Sequence, residues 1–543
     1  MSDALDYGTF EGLSPFEIKD ELIRLARAEA DKSAIAFLNA GRGNPNWIAT
    51  RARDAFFMLG QFALTEARRV MEDEAAGLAG MPARDGCHAR LARWLKRREG
   101  DEDTPGAVTL GAAVEFAITK FGFNPDAFVH ELTDSIIGDN YPVPDRALRH
   151  NETIVHEYLM WAMCAGHRPN AKFDLFPVEG GTAAMCYIFK ALKNQRLLNA
   201  GDTIAIVTPI FTPYLEMPEL EDYALRQIHI QAEQEDRFQL TDQDIAALED
   251  PKVKALFLVN PGNPSAVALN PDTIQRLVKF VQTKRPDLFI LTDDVYGTFV
   301  ADFQSLLGHL PRNTIGVYSF SKYFGCTGWR LGVIAVAQDN VFDETIRRHP
   351  PEIQATVEKR YLALTPRPAD LKFIDRIVAD SRDVALNHTA GLSLPQQVMM
   401  SLFSLVEMLD QAKLYQKACM AICERRFQKL LSGMGIVAEV GPYFDRYYGP
   451  IDFEFILRKH VGEEVVQWIK ANVHPLDIAF KLAQDHGVVL LNGSGFAAPN
   501  WSARVSFANL DDAAYEAIGR AVRAVARGYV EAYRASLGKP LRT

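Results

Sequence analysis

The stretch SFSKYFGCTGWRLG, residues 319–332, holds the side chains best suited to chemistry in this chain. Lys322 stands there among serines and aromatic residues, directly after the apolar run 314–320. A lysine in such surroundings loses its charge readily, and a neutral amine is a nucleophile that can form a Schiff base. Arg330, eight residues further on, offers a fixed cation for a phosphate. A lone Ser-x-x-Lys pattern is more often a structural loop whose lysine points to water.

Further polar and aromatic residues follow apolar runs elsewhere in the sequence. Gly181 and Thr182 begin a predicted helix, where backbone N–H groups and a hydroxyl would face an anion. Asp293 ends an apolar run, and a carboxylate there needs a cationic partner to stay ionised. Asn263 and Tyr296 are neutral hydrogen-bonding groups that suit a phenolate oxygen.

One ligand needs all of these groups. Phe211 offers a flat face for stacking on a ring, and Ser319 can join Arg330 in a cup for a phosphate. A phosphate, a protonated ring nitrogen, a phenolic oxygen, a ring face and an aldehyde for Lys322 describe pyridoxal phosphate.

The elements around these residues predict a mostly parallel central sheet. Short apolar strands alternate with helices between residues 136 and 336, which is typical of a sheet buried on both faces. Ligand groups gather at the carboxyl ends of such strands, where the candidate residues fall repeatedly. The predicted strands cover residues 173–178, 203–208, 225–230, 253–259, 288–292, 314–320 and 331–336.

The predicted organisation of the chain is α/β with helical insertions and a smaller α+β domain. The segments are an N-terminal helix and loop (1–47), a helical insertion (48–135), a large α/β domain (136–336), a helical connection (337–395) and a small domain (396–543). The expected N-terminal elements are a helix over 14–34, a strand over 35–38 and a helix over 52–76. In the small domain we expect one long helix over 396–432, strands over 451–457, 488–492 and 504–507, and a closing helix from 511.

Composition excludes several classes of function. The chain has 543 residues and a formal net charge of −10, and its densest basic run is only Arg93–Arg98, which disfavours nucleic-acid binding. Six scattered cysteines without a C-x-x-C pair predict reduced thiols in the cytoplasm, with neither a disulfide framework nor a metal site. The N-terminus lacks the apolar core of a signal peptide, and no uncharged apolar run is long enough to predict a membrane span.

Three ordered blocks resemble the signature of the fold-type I aminotransferases, the aspartate aminotransferase family. They are Asn260-Pro-Gly-Asn-Pro-Ser265, Asp293-Asp-Val-Tyr296 and residues 319–332. The spacing supports the resemblance, since Asp293 precedes Lys322 by 29 residues. The family implies the same fold class, pyridoxal phosphate as cofactor and an assembly of at least two subunits.

The resemblance also implies a role for each matching residue. Lys322 would be the Schiff-base lysine and general acid and base, and Asp293 would keep the pyridine nitrogen protonated. Asn263 and Tyr296 would bond the phenolate oxygen. The other roles would be ring stacking for Phe211, phosphate binding for Gly181, Thr182, Ser319 and Arg330, contact with the neighbouring subunit's phosphate for Tyr141, and binding of the substrate α-carboxylate for Arg504.

The chain is longer than an ordinary aminotransferase, mainly at 48–135 and 337–390. These insertions, with Asn39–Trp47 and Gly138–Pro144, resemble the L-aspartate 4-decarboxylases, or aspartate β-decarboxylases. That family implies conversion of aspartate to alanine and carbon dioxide, with transamination as a side reaction. It also implies assembly into dodecamers. A decarboxylase should hold the β-carboxylate weakly, and Arg42 and Lys19 are the candidates for that contact.

Two alternatives stay open. One is an aminotransferase for acidic or aromatic amino acids with structural insertions. The other is a non-catalytic regulator that binds the cofactor; such proteins carry a basic DNA-binding segment, whereas the helical N-terminal part of this chain is not basic.

Overall fold

The structure is a computed structural model. It describes residues 7–10, 13–33, 36–100, 102, 104–165, 167–382, 390–438 and 440–538. The predicted end of the first helix at Ala34, and the start of the following strand at Ile35, lie outside these ranges.

The α-helices are numbered in chain order. They are α1 (Pro15–Ser33), α2 (Thr50–Val70), α3 (Cys87–Lys96), α4 (Gly106–Phe121), α5 (Pro125–Ile137), α6 (Arg149–Met163), α7 (Gly181–Asn194), α8 (Pro213–Glu216), α9 (Asp242–Ala246), α10 (Pro271–Lys284), α11 (Leu306–His309), α12 (Val341–Arg347), α13 (Pro351–Lys359), α14 (Phe373–Ser381), α15 (Leu394–Leu409), α16 (Leu414–Met434), α17 (Phe453–His460), α18 (Glu463–Asn472), α19 (Asp477–His486) and α20 (Asp512–Ser536).

The strands are numbered in the same way. They are β1 (Leu38–Asn39), β2 (Glu72–Asp73), β3 (Leu78–Ala79), β4 (Phe173–Val178), β5 (Thr203–Thr208), β6 (Arg226–Gln231), β7 (Val253–Val259), β8 (Phe289–Asp293), β9 (Thr314–Ser319), β10 (Gly332–Ala337), β11 (Tyr448–Asp452), β12 (Val488–Val489), β13 (Leu491–Asn492) and β14 (Ser502–Ser506).

The central sheet has seven strands in the order β4-β10-β9-β8-β7-β5-β6. Strand β10 is antiparallel to both of its neighbours, and the other six strands run in one direction. The strands β4, β8, β9 and β10 are buried along their whole length because helices cover both faces. The predicted fold class, α/β with a mostly parallel central sheet, is confirmed.

The antiparallel strand has a consequence for the site. Because β10 runs against the others, it begins at the edge of the sheet where its neighbours end. The loop before β10 therefore brings Arg330 to the same edge as Lys322, which follows β9.

The helical insertion packs on α15, and α15 in turn packs on α6. Helix α2 contacts α4, α5 and α15, and its buried face includes Phe56, Leu59 and Phe62. Helix α2 ends at Val70, short of the predicted residue 76, and the chain then turns back through the exposed pair β2 and β3.

Two predictions for the small domain were wrong. The single helix expected over 396–432 is two helices, α15 and α16, because the chain turns at Asp410–Lys413 and Lys413 adopts a left-handed backbone with φ of 53°. The strand expected over 451–457 begins earlier, at Tyr448, and ends at Asp452. There the Asp452 side chain accepts a hydrogen bond from the backbone N–H of Phe455 and starts α17.

The small domain and the N-terminal segment meet above the sheet edge. The antiparallel sheet β11-β14-β13 places Arg504 in its central strand, and β1 pairs in parallel with β12. Helix α1 packs on α19, so the N-terminal segment is held by the small domain. No helix in the described ranges combines the length and hydropathy that crossing a membrane requires.

Candidate active site

Lys322 lies just beyond the carboxyl end of β9 and is partly buried. Its Nζ donates a hydrogen bond to the carbonyl oxygen of Gly43, 3.0 Å away. A Cβ atom at Gly43 would lie 3.1 Å from Nζ and 2.5 Å from the hydroxyl of Tyr448. The amine therefore occupies a small space that depends on glycine at position 43.

Asp293 ends β8 and is 5% exposed. Its Oδ2 accepts a hydrogen bond of 2.7 Å from the Tyr214 hydroxyl, and its Oδ1 accepts one of 3.2 Å from the backbone N–H of Val295. Burial raises the pKa of this carboxyl to about 6, against the opposing effects of these hydrogen bonds and the charge of Lys322. A buried carboxyl without an ion pair among the described residues is suited to a cationic ring N–H.

Arg504 is 2% exposed and lies in β14. Its Nη1 donates to Oδ1 of Asn263 at 2.9 Å, and its Nη2 donates to the carbonyl of Gly41 at 3.1 Å. In the described part of the chain its Nε has no acceptor and no carboxylate forms an ion pair with it. A buried guanidinium with an unused donor offers both a positive charge and a hydrogen bond to an anionic ligand.

A cradle of backbone lies at the start of α7. Gly180 has φ of 96°, and a Cβ atom there would lie 2.6 Å from Nη2 of Arg330. Arg330 is exposed, and it donates to the carbonyls of Glu179 and Thr327, each at 3.1 Å. Gly181 is the first residue of α7, and Thr182 follows it with an exposed side chain. The helix N-terminus and the guanidinium thus converge on one place, as an anion site requires.

Ser319 is buried beside this cradle. Its hydroxyl lies 3.0 Å from Oγ of Ser321 and 3.2 Å from the carbonyl oxygen of Leu331. Its present hydrogen bonds are therefore within the protein, and a phosphate contact would need the hydroxyl to turn.

The other predicted residues lie around the rim. The ring of Phe211 stands edge-on to Tyr214, with centroids 5.3 Å apart, and 5.8 Å from the ring of Phe16 in α1. Lys19 Nζ lies 5.9 Å from that Phe16 ring and 3.8 Å from the Asp20 carboxylate, so it reaches the rim rather than the centre.

Arg42 and Tyr141 both have exposed side chains. Arg42 stands between two glycines whose carbonyls contact Arg504 and Lys322, and its own side chain is exposed. Tyr141 lies in the loop after α5 with 69% of its side chain exposed.

Sequence reasoning missed three tyrosines of this site. Tyr214 bonds Asp293, and it belongs to the same strand-end run as Phe211, so its position was a usable signal. Tyr447 donates to the Gly43 carbonyl at 2.8 Å, and Tyr448 accepts a hydrogen bond of 3.3 Å from Tyr296. The sequence around these last two residues carries no motif; the predicted strand began three residues too late to include Tyr448, and Tyr447 precedes the strand.

The chain is similar to known aminotransferases. A family model described as aminotransferase class I and II matches residues 174–369. The bifunctional aspartate aminotransferase and L-aspartate beta-decarboxylase of a Pseudomonas species is 46% identical over 534 residues, which cover 98% of this chain and 99% of that protein. The aspartate aminotransferase of Musicola paradisiaca is 31% identical over 156 residues, or 28% of this chain and 38% of that protein.

Solved structures show the same fold. The Thermus thermophilus aspartate aminotransferase with maleate has a TM-score of 0.54 at 15% identity and covers 97% of this chain and 100% of its own. An aminotransferase from Mycobacterium tuberculosis gives 0.56 at 17% identity with the same coverage. Because the Pseudomonas relative aligns over almost its whole length, the chain belongs to the family of the bifunctional aspartate aminotransferase and L-aspartate beta-decarboxylase.

Proposed function

We propose that this protein removes the β-carboxylate of L-aspartate, producing L-alanine and carbon dioxide, and also transaminates aspartate as a side reaction. The observation that carries the proposal is the 46% identity to the bifunctional Pseudomonas enzyme over 98% of the chain. That alignment includes the helical insertion, whereas the class I and II family model matches only residues 174–369.

The site fits pyridoxal phosphate as cofactor. A buried carboxyl, Asp293, without an ion pair in the described ranges matches a protonated ring nitrogen. The glycine cradle at Gly180, with Arg330 across it, matches a phosphate. Asn263 and Tyr296 would bond the ring oxygen, Phe211 would stack on the ring, and Gly181, Thr182 and Ser319 would complete the phosphate site.

Each residue then has a defined task. Pyridoxal phosphate supplies, when bound, a ring that accepts the electron pair left by a departing proton or carboxylate. Lys322 anchors the cofactor and, once released by substrate, moves the proton at the substrate Cα. Asp293 holds the proton on the ring nitrogen because its buried carboxylate gains a cationic partner there.

Arg504 binds the α-carboxylate of aspartate. Its planar fork has an unused Nε donor, and the site around it is buried. Arg42 and Lys19 are the proposed partners of the β-carboxylate. Both lie at the rim, where water weakens an ion pair, and a weak grip leaves that carboxylate free to depart as carbon dioxide.

We also propose that the protein forms a homodimer and that six dimers assemble into a dodecamer. Support for the dimer comes from Tyr141, whose exposed side chain would reach the phosphate of a neighbouring subunit. The homodimer would then complete each site from two chains.

An aspartate aminotransferase is the second candidate, because the cofactor and α-carboxylate contacts serve both reactions. The two differ in product, so the experiment is to incubate the purified protein with aspartate, pyridoxal phosphate and a trace of pyruvate. We expect alanine and carbon dioxide in equal amounts, well in excess of the pyruvate added. Stoichiometric oxaloacetate without carbon dioxide would overturn the decarboxylase. The Lys322→Ala variant should lose both products.

A further inference from the structure

Four tyrosine hydroxyls surround the candidate site, and they differ in the acceptors of their hydrogen bonds. Tyr214 donates to Asp293 at 2.7 Å, Tyr447 donates to the Gly43 carbonyl at 2.8 Å, and Tyr296 donates to Tyr448 at 3.3 Å. Tyr448 accepts that last bond, and its own proton has no acceptor in the part of the chain that the structure describes. Only this hydroxyl of the four therefore has a proton free for a ligand.

The Tyr448 hydroxyl and the reactive lysine lie beside the same residue, Gly43. A Cβ atom built on Gly43 would lie 2.5 Å from the Tyr448 hydroxyl and 3.1 Å from Lys322 Nζ. Both polar atoms therefore lie close to the Cα of Gly43, and because this residue has no side chain the phenol and the amine can approach the same substrate from one side. Tyr448 is 2% exposed, so bulk water does not compete at that point.

The charges around Tyr448 favour release of its proton. Burial alone would raise the pKa of this phenol, but the positive charges of Lys322 and Arg504 and the hydrogen bond from Tyr296 lower it below the usual value. The guanidinium of Arg504 lies over the Tyr448 ring, 4.1 Å from its centroid. The other titratable groups that face it are Tyr447 and the buried Asp445, and burial raises the pKa of both.

We propose that Tyr448 is a further catalytic residue, the acid that delivers a proton to the substrate carbon from which carbon dioxide departs. The proposal rests on the decarboxylation proposed above, and it assigns a step that transamination does not need. The residue lies between Arg504, which fixes the α-carboxylate, and Lys322, which works at the adjacent Cα.

The step balances in atoms and electrons. The bond between Cβ and the carboxylate carbon breaks, and carbon dioxide leaves without the bonding electron pair. That pair forms a new C–H bond with the proton of the Tyr448 hydroxyl, whose O–H bond breaks. The phenolate recovers a proton from the Lys322 ammonium, and water, which reaches the partly exposed Lys322, restores that proton, so each turnover consumes one proton.

Tyr448→Phe is the test, because it deletes the hydroxyl and keeps the ring over Arg504. We expect carbon dioxide release by the holoenzyme to fall about 100-fold or more, as for loss of a general acid, while transamination falls less than about 10-fold. Tyr515→Phe is the matched control, since Tyr515 is equally buried and donates to the Ser506 carbonyl away from Lys322. It should leave the ratio of the two activities unchanged.

A second readout does not depend on turnover. Tyrosinate absorbance of the full-length protein is followed against pH for the wild type and for both variants. The difference between wild type and Tyr448→Phe should show one phenol that ionises below the usual tyrosine pKa, and Tyr515→Phe should retain it. Absence of that phenol, or an unchanged ratio of carbon dioxide to oxaloacetate in Tyr448→Phe, would overturn the proposal.

Failure of the decarboxylase function and failure of the variant to fold can be told apart from failure of the role proposed for Tyr448. If the wild type releases no carbon dioxide from aspartate, the decarboxylase function and this role fail together. If Tyr448→Phe does not fold, a fluorinated tyrosine at position 448 replaces it, because this analogue keeps the hydroxyl and lowers its pKa. The pH profile of carbon dioxide release should then move to lower pH, and an unmoved profile would overturn the role.

Discussion

The two sides of the candidate site are built in different ways. On the sheet side, Asp293 ends β8 and Lys322 follows the neighbouring strand β9, and hydrogen bonding between β8 and β9 fixes their relative positions. On the opposite side, Gly43, Tyr448 and Arg504 come from the N-terminal segment and the small domain. There the Arg504 guanidinium bonds the Gly41 carbonyl, which is 463 residues away in sequence.

Because the two sides are held by different interactions, they should respond differently to substitution. A sheet places its strand ends by backbone geometry, so strand pairing sets the positions on the sheet side. The opposite side depends on side-chain hydrogen bonds between segments, and Lys322 joins the two sides through its bond to Gly43. Loss of the Asp293 carboxylate or of the Lys322 amine on the sheet side should abolish the reaction, and substitutions on the opposite side should alter substrate binding, the position of the amine or the choice of product.

The largest effect is expected for Asp293→Asn on the sheet side. A neutral amide cannot hold a proton on the ring nitrogen, so turnover should fall by about 10³-fold or more. Asp294→Asn is the control, because Asp294 is also buried but bonds Thr292 and Ser305 instead of facing the site. Steady-state kinetics of both variants at saturating cofactor checks this, and equal losses would contradict the distinction between the two carboxyls.

Gly43→Ala tests the opposite side next. The added methyl group would lie 2.5 Å from the Tyr448 hydroxyl and would displace it or the Lys322 amine. Misplacing these groups should lower kcat by about 100-fold. Gly528→Ala, where a Cβ meets nothing within 4 Å, should retain wild-type turnover. Full activity of Gly43→Ala would show that the space beside residue 43 is not used.

Arg504→Lys should weaken substrate binding more than it slows turnover. An ammonium keeps the charge but loses the planar fork, so KM for aspartate should rise by about 10-fold to 100-fold with a smaller change in kcat. The surface substitution Arg520→Lys, within an exposed pair with Glu516, is the control. An unchanged KM would place the α-carboxylate elsewhere.

The raised pKa of Asp293 predicts a pH-dependent stability. Its carboxyl has a pKa of about 6 in the folded chain against an ordinary 3.8, so the folded state binds the proton more tightly than the unfolded state. Asp293 therefore costs stability increasingly as pH rises from 4 to 6, and the cost persists above that range. Without cofactor, Asp293→Asn should be more stable than wild type by about 3 kcal/mol at most at pH 7.

Thermal unfolding of the cofactor-free chain at pH 4 and pH 7 measures this difference. The gain in melting temperature should be present at pH 7 and largely absent at pH 4. An equal gain at both pH values would mean that ionisation of Asp293 is not the cause.

Tyr214→Phe should have the smallest effect. It removes one hydrogen bond to the Asp293 carboxylate, worth about 1.5–3 kcal/mol, so the pKa of Asp293 rises and the acid limb of the pH–rate profile moves to higher pH. Tyr158→Phe, whose hydroxyl bonds Tyr318 away from the site, should leave that limb in place. Coincident acid limbs in the wild type and Tyr214→Phe would show that the hydrogen bond does not tune Asp293.

The sheet side was largely predictable from sequence. Short apolar strands can be recognised in a sequence. Residues at the carboxyl ends of parallel strands lie at one edge of the sheet, so Asp293, Asn263 and Lys322 could be grouped without a structure. Family resemblance then added roles that spacing alone does not supply.

The opposite side was predictable only in part. Arg504 was assigned through the family motif, but Tyr447 and Tyr448 were missed because nothing local marks them and strand β11 was placed three residues too late. Contacts such as that between Gly43 and Lys322 join segments 279 residues apart in sequence. They depend on how the small domain meets the sheet, which hydrophobic periodicity does not encode.

Reduction of the holoenzyme with borohydride tests most directly the claim that both sides converge on one amine. The reduced protein is digested, and the peptide that carries the cofactor is identified by mass spectrometry. We expect the cofactor on Lys322 alone, and aspartate added before the reductant should reduce that labelling. Cofactor on a different lysine, or on none, would contradict the assignment of the site.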